Sequence, residues 1–159
     1  MTRQDLLALV AALEADLAAA ERHRELAETF AARLGEAGAD TVVAASLHHY
    51  YSAIESLLER AMRSFGHALQ AGPRRHAELL TLAATDIGET RPAVLGPASI
   101  GPLRELVAFR HFFRHAYAVD WDHDRLRHNV TVLRAATKPV REDVQRFIAT
   151  LRAAATEGA

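Results

Sequence analysis

The sequence predicts an all-α fold, an antiparallel bundle of four to five helices. Apolar residues recur at three- and four-residue steps along nearly the whole chain. No run rich in Val, Ile and Thr alternates with the period of two that a half-buried strand requires. The Gly and Pro clusters fall between the periodic segments, where they punctuate helices.

Each element follows from its own pattern. Leu6, Val10, Leu13, Leu17, Ala20, Ala27, Phe30 and Leu34 form one apolar stripe, so a long amphipathic first helix is expected to end at Gly35 and Gly38. Asp40 is the expected cap of a second helix running to about Gly66 or Ala71. Its core stripe would be Val43, Leu47, Tyr50, Ile54, Leu57, Leu58, Ala61 and Phe65. Gly72 and Pro73 close that element, and Pro73 sits in the first turn of a short third helix through RRHAELLTLAA. The stretch from Asp86 to Pro102, rich in Pro and Gly, is the one extended connection. The fourth helix is expected from about Pro102 to Tyr117. Asp122 caps the last helical stretch, which Pro139 is expected to divide or kink, with Thr137 as a new cap.

Composition narrows the function. The 159 residues suit a single domain spanning 1–159, and half of them are hydrophobic, enough for one core. A net charge of −1 argues against a globally basic nucleic-acid coat while leaving room for a local basic site. The absence of cysteine excludes disulfides, thiolate catalysis and cysteine-zinc sites. No apolar run has the length of a membrane span, and Glu14, Asp16 and Glu21 interrupt the N-terminal segment, so the expected location is cytoplasmic.

The chemistry concentrates in ELVAFRHFFRHAYAVDWD, residues 105–122. With Arg110 at zero on a helical wheel, Arg114 lies at about 40°, His111 at about 100° and His115 at about 140°. Phe109, Phe112, Phe113 and Ala116 fall between roughly 200° and 300°, and Tyr117 sits at the seam near 340°. One arc therefore carries guanidinium and imidazole, and the other anchors the helix in the core. Charged arcs usually face water. Here, however, Leu103 and Val107 continue the cationic arc upstream, which suits an interface with a pocket beside it. Guanidinium pairs with phosphate oxygens in a planar fork, and imidazole takes or gives a proton near neutrality, so the pair suits a phosphodiester.

Other constellations are weaker. His111 and His115 have the i, i+4 spacing of two metal ligands, but neighbouring arginines repel a cation and no HExxH motif is present, so no metal is assigned. In LHHYYSAIESLLER, residues His48, Ser52, Glu55 and Glu59 share one face. That face is either a solvated or helix-to-helix polar surface, or a device by which Glu55 or His48 orients a side chain of the fourth helix. Arg74, Arg75 and His76 form a basic cluster that reads as ordinary surface or as a contact to RNA backbone.

The sequence RHFFRHAY, Arg110 to Tyr117, fits Arg-Xaa4-His-Xaa-Tyr with a polar residue after the arginine. It resembles the signature of the HEPN superfamily, and in particular of HepT-like toxins, ribonuclease partners of small nucleotidyltransferase antitoxins. LHHYYSAIESLLERAMRSFG is similar to that family's second long helix. AFRHFFRHAYAVDWDHDRL, including Asp120 and Trp121, is similar to the motif helix and turn of one HepT-like branch. The resemblance covers roughly residues 40–155. It implies a HEPN-like bundle and a metal-independent endoribonuclease without a cofactor, acting on an RNA substrate at a cleft between two subunits of a homodimer. By the same resemblance Arg110 and His115 are catalytic, His111 and Arg114 support them, and Tyr117 is the residue to which a nucleotidyltransferase-type antitoxin transfers AMP. The other reading it leaves is a non-catalytic HEPN bundle that binds a nucleotide or a nucleotidyltransferase partner.

Overall fold

A computed structural model describes residues 1–69, 72, 74–88, 90–115 and 120–157, with the side chains of Arg114 and His115 outside the described set. Five helices account for its regular structure: α1 (Arg3–Ala31), α2 (Ala39–Ser64), α3 (Arg75–Ala83), α4 (Pro97–His115) and α5 (His123–Glu157). Among the described residues the only extended pairing is an isolated bridge between Ile87 and Arg91. The all-helical bundle expected from the periodicity is what forms.

Helix α1 opens on a capping box. Thr2 Oγ1 accepts from the Asp5 N–H at 3.2 Å, and Asp5 Oδ2 accepts from the Thr2 N–H at 2.8 Å. Its apolar stripe packs against α2 and α5. Helix α2 supplies the centre of the core through Val43, Leu47, Tyr50, Tyr51, Ile54, Leu57, Leu58, Ala61 and Met62. The short helix α3 leans on α2 and α4, and α4 packs against α5 and α2.

Several expected boundaries move, each for a physical reason. Asp40 does not cap α2. Gly38, at φ +81°, occupies that position, and Asp40 Oδ1 instead accepts from the Gly35 N–H at 2.9 Å while Oδ2 meets His123 Nε2 at 2.9 Å. Helix α1 stops at Ala31, a turn before Gly35. Helix α4 starts at Pro97 rather than Pro102. The Gly96 N–H (2.7 Å) and Ser99 hydroxyl (2.6 Å) both donate to Asp143 Oδ2 of α5, which fixes the earlier start. Pro102 forgoes one helical hydrogen bond, and the carbonyl it would have met belongs to exposed Ala98, within reach of water. Pro139 likewise does not divide α5. The carbonyl four residues back belongs to exposed Ala135, and Thr137 donates to the Leu133 carbonyl at 2.8 Å as an interior residue. Asp122 caps α5 as expected, accepting from the N–H groups of Asp124 (2.9 Å) and Arg125 (3.2 Å). Pro73 lies outside the described residues.

The connection between α3 and α4 is organised by a buried arginine. Arg91 has no exposed surface, and its guanidinium donates to the carbonyls of Pro92 (2.8 Å), Leu82 (2.9 Å) and Thr85 (3.0 Å). These three bonds replace much of the water that the charge gave up, while Nε is buried without a hydrogen-bond partner among the described residues.

Candidate functional site

Helix α4 is anchored by Leu103, Leu106 and Phe109, all buried in the core. This corrects one expectation. Leu103 and the partly buried Val107 belong to the core of this chain and do not form an outward apolar patch. One turn past Leu106, Arg110 leaves the core side and turns toward α2 and α3.

Three side chains meet its guanidinium. Nη2 lies 3.2 Å from Glu55 Oε2, Nε donates to Ser52 Oγ at 3.4 Å, and Nη1 faces His76 Nε2 at 3.4 Å. The other Glu55 oxygen, Oε1, is in ion-pair contact with His76 Nδ1. Ser52 and Glu55 are three residues apart on α2 and Glu59 is one turn further, so they present one polar face. Glu59 continues the pattern, bonding Arg75 Nη2 at 2.6 Å and Arg63 Nη2 at 2.9 Å. Arg110, Ser52, Glu55, Glu59, Arg75 and His76, with Ser56 and Gly72, line an open groove of about 440 Å³; Arg63 lies outside it.

The groove has a stiff, low-dielectric back wall. Tyr51 is fully buried behind it and meets the His76 ring edge-on, with centroids 6.4 Å apart. Burial pushes the Tyr51 hydroxyl well above the usual phenol range; the Glu55 charge adds to this and the Arg110 charge opposes it. Only 9% of the Glu55 side chain and 16% of the Arg110 side chain are exposed, so the pair is largely shielded from solvent screening.

A second contact layer steadies the distal part of α4. His48 of α2 stacks on Phe113 with ring centroids 4.7 Å apart, and Phe113 stacks on Trp121 at 5.9 Å. The Arg125 guanidinium lies 3.7 Å over the Phe112 ring. Glu55 thus contacts Arg110 of the fourth helix, and His48 contacts Phe113.

Of the expected site residues, Arg110 lines the groove and His111 is exposed on α4. The side chains of Arg114 and His115, and all of Tyr117, lie outside the described residues. Among the described residues no group of three or more His, Asp or Glu is placed to hold a metal ion, and no helix is long and apolar enough to cross a membrane.

A family profile described as HepT-like protein matches residues 42–151, more than half of the chain. The chain belongs to the HepT-like family. The matched segment runs from α2 into α5 and contains Ser52, Glu55, His76 and Arg110; α1 lies before it. No curated protein and no solved structure matches the chain. In this HepT-like protein the sequence marks His76 only as part of a basic cluster and not as a partner of Glu55 and Arg110. Its run of three basic residues carries no local mark of a groove. The available signal was the polar face of α2, whose two glutamates need cationic partners from a neighbouring helix.

Proposed function

We propose that this HepT-like protein is the endoribonuclease toxin of a toxin–antitoxin pair and cleaves RNA through attack by the 2′-hydroxyl. The observation that supports the reading is the setting of Arg110. The arginine of the signature stands at the wall of an open groove, its guanidinium aligned by Glu55 and Ser52. RNA brings its own nucleophile, so the protein has only to align it, move two protons and offset charge on phosphate. Arg110 and Arg114 hold the non-bridging oxygens, His115 transfers a proton, and His111 supports the site. The products are a 2′,3′-cyclic phosphate and a 5′-hydroxyl, and no metal ion enters the scheme. The working form is a homodimer, and the antitoxin restrains it by placing AMP on Tyr117.

One observation favours a second reading. Glu55 already neutralises much of the Arg110 charge, which weakens its pull on a phosphate and suits a bundle that binds a nucleotide or a nucleotidyltransferase without cutting RNA. Purified protein incubated with tRNA and mRNA in EDTA separates the two. The toxin reading expects cleavage in EDTA, with Arg110→Ala and His115→Ala each slower by at least about 10². Intact RNA with the wild-type protein supports the binding bundle.

A further inference from the structure

Glu55 uses its two oxygens on different partners, Oε2 on Arg110 and Oε1 on His76 Nδ1. Oε1 approaches Nδ1 as an ion-pair contact without hydrogen-bond geometry, and its charge favours the imidazole proton on that side. On the other side of the ring, Arg110 Nη1 is a donor and faces Nε2, so it requires a lone pair at Nε2. Both neighbours select the same tautomer. The Arg110 distance of 3.4 Å is longer than an ordinary N–H hydrogen bond, which leaves that lone pair weakly engaged. The ring is held against Tyr51 and lines the groove, with 28% of its side chain exposed. A carboxylate, an imidazole whose far nitrogen carries a lone pair held only by the long Arg110 contact, and that guanidinium form an oriented base next to a phosphate-binding group.

We infer that His76 is the general base of the ribonuclease reaction and that Glu55 is the residue that positions it; this rests on the function proposed above. Nε2 takes the proton of the 2′-hydroxyl as the 2′-oxygen bonds to phosphorus. The bond from phosphorus to the 5′-oxygen breaks, and that oxygen leaves with a proton given by His115. One proton is taken and one supplied, Arg110 offsets the charge on the non-bridging oxygens, and no further reactant is consumed. His115 thereby has the acid role alone.

The test assigns base and acid separately. Two oligoribonucleotides are compared at the mapped cleavage site, one with the natural 5′-oxygen and one with a bridging 5′-sulfur, a leaving group that departs without an acid. On the oxygen substrate, His76→Gln, His76→Ala and His115→Ala should each lose about 10²–10⁴ in rate. On the sulfur substrate His115→Ala should recover to near wild-type, while both His76 variants stay slow. Free imidazole should partly restore His76→Ala, which a purely structural defect would not allow. Affinity for a 2′-deoxy analogue should stay within a few-fold of wild-type. Wild-type cleavage with His76→Gln undiminished overturns this inference alone, as does recovery of the His76 variants by sulfur. Absence of cleavage by the wild-type protein overturns the proposed function and this inference together.

Discussion

At Glu55 a single carboxylate of α2 meets a histidine of α3 and an arginine of α4. Truncating it to Ala would leave Arg110 largely buried without its counter-charge, and such a loss costs about 3 kcal/mol. Glu55→Ala should therefore lower the urea midpoint with little change in slope, because the surface exposed on unfolding is nearly the same. An unchanged midpoint would mean that water already solvates the Arg110 guanidinium. The same cluster marks what single residues disclose from sequence. Arg110 could be picked out because helical spacing sets it opposite the phenylalanine arc. Glu55 could be raised as its partner because it shares a face with Ser52 and Glu59. His76 could not, since whether a basic residue faces water or a carboxylate some twenty positions earlier depends on where α3 lies, and no local spacing encodes that.

Between elements, Asp143 holds the start of α4 against α5. Burial tends to raise its carboxyl, but the Ser99 hydroxyl, the Gly96 N–H and Arg146 together hold it below the usual carboxylate range. A folded-state value below the unfolded one stabilises the fold above about pH 4 and loses that contribution as pH falls through the folded value. Melting followed by circular dichroism should show an acid limb that flattens in Asp143→Asn. The site is tight as well: a Cβ added at Gly96 would lie 3.1 Å from Asp143 Oδ1. Gly96→Ala should lower stability by about 1–2 kcal/mol, the scale of a disturbed helix cap, and by less when Asp143 is already Ala. Helix ends were the least legible part of the sequence for related reasons. Pro102 and Pro139 look like punctuation, yet helices run through both, and the residues whose carbonyls lose a donor, Ala98 and Ala135, are exposed. Asp122 and Asp40 look alike as caps, yet Asp40 is drawn away by Gly35 and His123.

For the whole molecule, the periodicity was a sufficient guide to the bundle, because one apolar stripe per helix leaves few ways to close a core. The surface that would join two copies was not legible. The Leu103 and Val107 arc that suggested it is filled by this chain's own core. A homodimer would therefore have to join through a surface other than that arc. Native mass spectrometry of the chain alone and after co-expression with a candidate nucleotidyltransferase antitoxin tests both halves of the whole-molecule picture. The expected result is a dimer, with AMP gained on co-expression and lost in Tyr117→Phe. A monomer at micromolar concentration counts against the shared cleft. Equal restraint of Tyr117→Phe by the partner means inhibition by binding alone.

Trp121, the only tryptophan in the sequence, stacks at 13° on Phe113 near the end of α4. Indole emission from this protein thus originates at one place, beside the helix that carries Arg110. Excited selectively, it gives an optical signal free of contributions from elsewhere in the bundle. A nucleotide or RNA strand that shifts the Phe113 ring, or the His48 ring stacked on it, should change the colour or intensity of that light in a label-free titration.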